Sequence, residues 1–260
     1  MANADFAPAA LDNPPHRPPD AASPGALDEP QVRAMFDRIA GLYDRMNTVM
    51  TAGLHHQWRR RATELAALSP GGRALDVATG TGDLALELAG AVTPGGEVVG
   101  IDFSERMLEL ARAKAAARAA SLRDVSVRFE PGNALALGYP DDAFDAATVG
   151  FGARNFSDLV RGLSEMARVV RPGGRVVVLE ITTPRRPPLS TFFDLWFDRA
   201  VPALGRIVDS QAYSYLPTSV KRFPGPEQLA TRMWDSGLRE IRYVLTAGGI
   251  IALHVGLVPT

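Results

Sequence analysis

Two glycines and a nearby aspartate mark a candidate cofactor site in the first half of the chain. Gly80 and Gly82 stand in the segment from Leu75 to Asp83, where they let the backbone turn tightly and approach a ligand. Asp102 follows about 20 residues later, where a carboxylate at a strand end can accept hydrogen bonds from both hydroxyls of a ribose. A glycine pair by itself is also typical of an ordinary tight turn or of a nicotinamide-dinucleotide site.

Further acidic side chains around this turn favour a ligand with positive charge and no phosphate. Asp83 opens the following helix, and a carboxylate there repels the pyrophosphate of a dinucleotide. Asp76 suits a cationic ligand, either directly or by holding the turn. S-adenosylmethionine carries a sulfonium and an ammonium but no phosphate, so these residues predict a methyltransferase that uses it. Asn133 and Ala134, after the third predicted strand, are placed to read the adenine edge.

The elements that must position these residues alternate between strand and helix. Apolar runs predict strands at 73–78, 97–101, 125–130, 144–149 and 175–181, with helices at 83–89, 104–119 and 158–170. Helical stretches at 189–236 precede two more strand-like runs, 238–245 and 249–257, which predict a hairpin. The predicted fold is α/β: a Rossmann-like class I methyltransferase with a mainly parallel seven-stranded sheet and a C-terminal antiparallel hairpin.

The domain organisation is predicted to be a tail followed by a single domain. Residues 1–30 are rich in Pro, Ala and Asp and show no apolar period, which indicates a disordered tail. Residues 31–260 form the methyltransferase domain, which opens with helical patterns before the first strand. Within it, 184–226 is expected to be a helical insertion that binds substrate or lipid.

Composition excludes several classes of protein. The net charge of -1 gives no general attraction to nucleic acid, and no Asn/Asp-Pro-Pro-Tyr loop follows the fourth strand to grip a flipped base. The chain has no cysteine, and its 4 histidines are scattered, so we predict no metal site. No apolar run approaches the roughly 20 residues that span a bilayer, and no secretory signal is present. We therefore expect a cytoplasmic protein that meets a membrane only at its surface.

Local motifs from about Val32 to Gly256 are more specific than the glycine turn. With them the chain resembles the quinone-biosynthesis C-methyltransferases, which act on demethylmenaquinol and on polyprenyl benzoquinols. The motifs are Phe36-Asp-Arg-Ile-Ala-Gly-Leu-Tyr-Asp44 with Met46-Asn47, Gly53-Leu-His55 with Trp58-Arg59-Arg60, Leu75 to Asp83, Phe151-Gly-Ala-Arg-Asn155, Leu163 to Gly174 with Leu179-Glu180, Ala212-Tyr-Ser-Tyr-Leu216 and Thr246-Ala-Gly-Gly-Ile-Ile-Ala-Leu-His254.

The resemblance implies S-adenosylmethionine-dependent methylation of a prenylated quinol and a set of cofactor residues. The chain departs from related methyltransferases at Ala78, where most carry one more glycine, and at Gly150, where some carry serine. The stretch 221–226 resembles menaquinone-pathway members, which favours demethylmenaquinol as substrate. A methoxy-benzoquinol, another small molecule, or a non-catalytic lipid- or cofactor-binding assembly role are the alternatives. The implied cofactor residues are Thr81, Asp102, Asn133 and Ala134, with Gly150 beside the methionine portion.

Three residues are candidates for catalysis. Arg154, after the fourth strand, would stabilise a developing phenolate or form a structural salt bridge. Asn155 would hydrogen-bond the second quinol hydroxyl or cap the following helix. Tyr43 would close over the methyl-transfer site or pack as a core aromatic residue.

Four residues are candidates for binding the substrate: His55, Phe193, Trp196 and Tyr213. His55 would orient the quinol or serve as a structural histidine. The apolar side chains of 189–223, including Phe193 and Trp196, exceed what one exposed helix displays, so they predict a prenyl groove that contacts lipid. Packing on the sheet and a homodimer interface are the alternative interpretations of this segment.

Overall fold

One seven-stranded sheet organises the protein. The computed structural model describes residues 29–51, 53–184, 187–195 and 210–260. The strand order is β3-β2-β1-β4-β5-β7-β6; the first five strands run parallel, and β7 is antiparallel to both of its neighbours. The predicted α/β fold with a C-terminal hairpin is thereby confirmed. The strands are β1 Arg73–Val77, β2 Glu97–Asp102, β3 Ser126–Pro131, β4 Phe144–Gly150, β5 Val170–Ile181, β6 Arg239–Thr246 and β7 Ile251–Leu257.

Helices cover the sheet, and local sequence signals fix where several of them begin. Ser104 caps α4, since its hydroxyl accepts a hydrogen bond from the backbone N–H of Met107 at 3.2 Å. Asp158 caps α5 in the same way, accepting from Arg161 N at 2.9 Å. The α-helices of the described residues are α1 Glu29–Thr51, α2 His55–Ala66, α3 Asp83–Val92, α4 Glu105–Ala117, α5 Leu159–Val169, α6 Leu189–Leu195, α7 Ser210–Arg222 and α8 Pro226–Asp235.

The core lies on both faces of the sheet, which explains the continuous apolar character of the central strands. Ala74 of β1 packs with the face that α2 and α3 cover, whereas Leu75 and Val77 pack with the face that α5 and α8 cover. A parallel strand buried on both faces cannot alternate apolar and polar residues. This arrangement leaves the carboxyl ends of the strands free to carry polar groups.

The turn between β1 and α3 depends on glycine at Gly82. Its φ is +81°, and a Cβ there would lie 2.7 Å from Phe129 Cζ and 2.9 Å from Ala111 Cβ. Glycine is thus required both by the left-handed backbone and by the close approach of β3 and α4. The turn delivers Asp83 to the first position of α3.

Two boundaries differ from the predictions. Helix α1 begins at Glu29, so Glu29 and Pro30, assigned to the tail, are helical; proline is readily accommodated in a first helical turn because its N–H would have no partner there. Strand β5 begins at Val170, not Arg175, and includes Pro172; its register against β4 shifts between Val170 and Arg175.

Residues 1–28, most of the expected tail, lie outside the described residues, so their disorder stays a prediction. None of the helices in the described ranges has both the length and the hydropathy needed to cross a bilayer.

Candidate functional site

Asp102 ends β2 beside the glycine turn. The side chain is 6% exposed, Oδ2 accepts a hydrogen bond from Gly80 N at 2.8 Å, and Oδ1 accepts one from Ser104 N at 2.9 Å. Burial raises the pKa of Asp102, although these two backbone donors oppose the change. Each carboxylate oxygen has a second lone pair, so the group can hold the turn and still accept hydrogen bonds from a ligand.

A small cleft of about 60 Å³ opens beside Asp102 and is lined by the two residues that were predicted to contact the adenine edge. Asn133 and Ala134 line it together with Phe103. The side-chain oxygen of Asn133 accepts a hydrogen bond from Leu135 N at 2.8 Å, which orients the amide and leaves its NH₂ group as a donor. The fold thus brings to one place residues from two strand ends that are separated by about 30 positions in sequence.

Asp76 holds the turn from inside the protein. Its two carboxylate oxygens accept hydrogen bonds from the hydroxyls of Thr79, at 2.6 Å, and Thr148, at 2.7 Å. Burial raises the pKa of Asp76 to about 6, against the effect of these hydrogen bonds. Of the two roles predicted for this residue, the contacts correspond to the second, because the carboxylate connects β1 to the turn and to β4.

The remaining predicted cofactor residues lie around the turn with different partners. The Thr81 hydroxyl donates to Asp44 Oδ1 of α1 at 2.6 Å and accepts from Lys114 Nζ of α4 at 2.8 Å. Gly150 ends β4, where a Cβ would lie 3.0 Å from a methyl group of Leu84, so this position offers a ligand its backbone. Ala78, which replaces a customary glycine, adopts φ +52° and therefore carries a side chain in the left-handed region.

A second, large cavity of about 410 Å³ has a lining that shares no residue with the small cleft. Helices α1, α2, α6 and α7 form most of its wall, and residues after β4, at the end of β5 and before β7 complete it. Its lining is mostly apolar, with a few polar side chains. The lining residues are Met35, Phe36, Ile39, Leu42, Tyr43, Met46, Asn47, Met50, Thr51, Leu54, His55, Trp58, Arg59, Phe151, Arg154, Ile181, Phe193, Tyr215, Leu216, Ala247, Ile250 and Ile251.

Arg154 lines this cavity and also forms a buried ion pair. Its Nη1 donates to Glu180 Oε1 at 2.6 Å and to the Phe151 carbonyl at 2.5 Å, and the two charged side chains are 7% and 1% exposed. Although burial opposes the charge, Glu180 raises the pKa of Arg154 above its usual value. The Nε atom is buried and has no hydrogen-bond partner among the described residues. Arg154 therefore combines the salt bridge with an unused donor.

Asn155 does not cap α5, one of its two predicted roles, because Asp158 caps this helix. Its side-chain oxygen instead accepts a hydrogen bond from the Tyr215 hydroxyl at 2.9 Å. Asn155 lines the small cleft and Tyr215 lines the large cavity, so this hydrogen bond connects the two sites. Tyr43 of α1 lies in the cavity wall.

The predicted substrate residues are only partly placed. His55 is buried in the cavity wall, and its Nδ1 lies 2.7 Å from the Thr51 hydroxyl. Burial, reinforced by neighbouring positive charge, lowers the pKa of His55 to about 4, so the ring is neutral near pH 7. Phe193 of α6 is 2% exposed and also lines the cavity. Trp196 and the side chain of Tyr213 lie outside the described residues.

Sequence reasoning missed two residues of this site. Glu180 carried a usable signal, because a carboxylate at the end of the apolar run from Val176 to Leu179 needs a buried positive partner. Tyr215 carried none that separates it from Tyr213, which belongs to the same motif.

These features agree with a family model that matches most of the chain. Residues 25–258 match the model described as the ubiE/COQ5 methyltransferase family. The chain belongs to this family of methyltransferases. The resemblance drawn from the sequence motifs is thereby confirmed.

Curated relatives extend over nearly the same region. The chain is 46% identical to the demethylmenaquinone methyltransferase of Thermus thermophilus over 224 residues, which are 85% of this chain and 99% of the relative. It is 41% identical to the ubiquinone/menaquinone biosynthesis C-methyltransferase UbiE of Geobacter sulfurreducens, over 87% of this chain and 88% of the relative.

A solved structure supports the fold from a greater distance. A Thermotoga maritima protein described as a SAM-dependent methyltransferase, possible histamine N-methyltransferase, superposes with a TM-score of 0.59. It is 22% identical to this chain, and the match covers 86% of this chain and 98% of that protein. At this identity the likeness concerns the fold alone.

Proposed function

We propose that the chain transfers a methyl group from S-adenosylmethionine to a ring carbon of a prenylated quinol, with demethylmenaquinol as the substrate, in menaquinone biosynthesis. The observation that carries this proposal is the large apolar cavity, whose wall contains the buried Arg154 in an ion pair with Glu180. The name of the Thermus relative favours the naphthoquinol, whereas the UbiE-named relative is compatible with a benzoquinol as well.

The residues around the turn fit S-adenosylmethionine. Asp102 would accept hydrogen bonds from the ribose, and Asn133 and Ala134 would face the adenine edge of the small cleft. A Cβ placed on Gly80 would meet no described heavy atom within 4 Å, so there is open space beside this part of the turn. When bound, the cofactor supplies a methyl group on a positively charged sulfur.

Arg154 is the residue best placed to assist the ring chemistry. Loss of a phenolic proton pushes electron density onto the neighbouring ring carbon, and the charge that develops on oxygen needs a fixed donor. The guanidinium stays protonated, Glu180 fixes its orientation, and the unpaired Nε provides the donor. Tyr43 and Tyr215, from two different helices of the wall, would confine the ring between them.

The rim of the large cavity suits a substrate that carries a lipid tail. Leu42 and Leu54 line the cavity and are each 42% exposed. Leu195 does not line it but ends α6, a helix of the cavity wall, and is 53% exposed. Exposed apolar side chains at the mouth of an apolar cavity favour contact with a membrane surface, where a prenylated quinol resides. We therefore include a peripheral membrane association in the proposed function.

Vesicle binding tests this association. Changing Leu42, Leu54 and Leu195 to Ser should reduce co-sedimentation with phosphatidylglycerol-containing vesicles. Leu245→Ser is the matched control, because Leu245 is exposed to a similar degree but lies on β6, none of whose residues lines the cavity. Equal sedimentation of the triple variant and the wild-type protein would contradict the membrane contact.

A methyl-transfer assay tests the reaction. Labelled S-adenosylmethionine is supplied with a short-prenyl demethylmenaquinone or a methoxy-polyprenyl benzoquinone, each with and without a reductant. We expect transfer to the reduced naphthoquinone. Transfer only to the reduced benzoquinone would move the substrate to the ubiquinone pathway. Transfer to neither, with cofactor binding intact, would contradict the quinol proposal and favour another small molecule or a non-catalytic role.

A further inference from the structure

Arg59 is a buried guanidinium that the proposed reaction has not yet used. It lies in the middle of α2, its side chain is 8% exposed, and it lines the large cavity. Its Nη1 is 3.0 Å from Asp83 Oδ2. This ion pair is not aligned as a hydrogen bond, and Nη1 has no hydrogen-bond partner in the part of the chain that the structure describes.

Lys114, the other cation beside Asp83, has its donors occupied. Its Nζ contacts Thr81 Oγ1 at 2.8 Å, Asp83 Oδ1 at 2.6 Å and Asp44 Oδ2 at 2.7 Å. An ammonium group has three N–H bonds, and these three oxygens use them. Arg59 therefore differs from Lys114 in offering an unused donor between the glycine turn and the cavity.

We propose that Arg59 binds the carboxylate at the amino-acid end of S-adenosylmethionine. This inference rests on the proposed function and adds a cofactor contact to it. The carboxylate is the cofactor's anionic group, and a buried arginine whose Nη1 has no hydrogen-bond partner among the described residues is well suited to bind it.

The position of the two sites supports this assignment. The adenosine end is expected in the small cleft at Asp102, and the methyl group must face the large cavity. The amino-acid end then lies beside the glycine turn, near the start of α3. Arg59 is there, because it contacts Asp83, the first residue of α3, and lines the cavity as well.

Binding calorimetry with two cofactor analogues tests the inference. S-adenosylhomocysteine and S-adenosyl-3-thiopropylamine differ only by the carboxylate, and neither donates a methyl group. We expect the wild-type protein to bind the first about tenfold to hundredfold more tightly, the range of a hydrogen bond between charged groups. Arg59→Gln should abolish this preference and leave the affinity for the amine analogue nearly unchanged.

Arg60→Gln is the matched control, because Arg60 is the next residue of α2 and is exposed; it should keep the wild-type preference. Arg59→Lys retains a positive charge beside Asp83 and should keep part of the preference for the carboxylate-bearing analogue. This variant controls for loss of binding through a folding defect in Arg59→Gln. Equal binding of both analogues by the wild-type protein, or an undiminished preference in Arg59→Gln, would overturn the inference without affecting the proposed function. Binding of neither analogue by the wild-type protein would overturn both.

Discussion

The small cleft and the large cavity hold their polar side chains in different ways. The small cleft is built mainly at strand ends, and its central carboxylate, Asp102, is bound to backbone N–H groups of Gly80 and Ser104. Four helices form most of the large cavity, and its polar groups contact one another through side chains, as Arg154 and Glu180 do. The backbone thus fixes the position of the first site, whereas helix packing fixes the second.

This difference predicts that the two sites respond differently to substitution. A side chain held by the backbone can be removed with loss of one ligand contact, while the neighbouring strands keep their register. A side chain held by another buried side chain leaves its partner without compensation. Four predictions test the contrast.

The largest effect is expected at Arg154. Arg154→Ala should lower kcat about a hundredfold to a thousandfold, as removal of a fixed donor to a developing anion does, while cofactor affinity stays near the wild-type value. It should also destabilise the fold, because Glu180 remains buried without its partner. Adding Glu180→Gln should recover stability but not turnover. Recovery of turnover in the double variant would show that Arg154 acts only through folding.

Asp76, which holds the glycine turn, and His55, in the wall of the large cavity, should show opposite dependence of stability on pH. Burial raises the pKa of Asp76 from 3.8 to about 6, so its stabilising contribution is present below pH 3.8 and is lost as the pH rises through 6. The pKa of His55 falls from 6.5 to about 4, so its contribution is present above pH 6.5 and is lost as the pH falls through 4. The expected change in the free energy of unfolding is roughly 3 kcal/mol for Asp76. It is smaller for His55, because this side chain borders the large cavity, where solvent screens its charge.

Thermal melts between pH 4 and 8 measure this contrast. Relative to Asp76→Asn, the wild-type protein should be most stable at the acidic end. Relative to His55→Gln, which can still hydrogen-bond Thr51, it should be most stable at the alkaline end. The same sign of pH dependence in both comparisons would contradict the prediction.

Asp102 should affect binding more than turnover. Asp102→Ala removes the expected ribose contact and the acceptor for Gly80 N and Ser104 N, so cofactor affinity should fall about tenfold to hundredfold. Turnover at saturating cofactor should change much less, because Arg154 and the large cavity are unaltered. Calorimetry and single-turnover rates separate the two quantities, and an equal loss of cofactor affinity in Arg154→Ala would contradict the division of roles.

The smallest effect is expected at Ala78, whose φ of +52° favours glycine. Ala78→Gly should raise the free energy of unfolding by up to about 1 kcal/mol. A Cβ on Gly152 would lie 2.6 Å from the Ala78 Cβ, so Gly152→Ala should be destabilising in the wild-type chain and less so when Ala78 is glycine. Denaturant unfolding of the four chains measures this coupling, and additive effects would show that the two residues do not interact.

The sequence predicted the fold and the placement of the small cleft better than the contacts of the large cavity. Asp102 and Asn133 lie near each other because one ends a strand and the other follows the next, and parallel strands align their carboxyl ends. Asn155 was wrong as a cap because Asp158, directly before the first residue of α5, has this role. The pairing of Asn155 with Tyr215 depends on two segments 60 residues apart in sequence, which no local pattern encodes.

Helix α1 connects the two sites through its own side chains. Asp37 accepts a hydrogen bond from the Ser104 hydroxyl at 2.5 Å, Asp44 accepts one from Thr81, and Tyr43 faces the large cavity. With both ligands placed as proposed, α1 would lie against each of them, so occupancy of one site would affect exchange at the other. We therefore expect ordered binding, in which the cofactor enters first and the spent cofactor leaves after the methylated quinol. A methylated quinol that stays in the large cavity would then slow cofactor exchange, so release of this product into the membrane would limit the turnover rate.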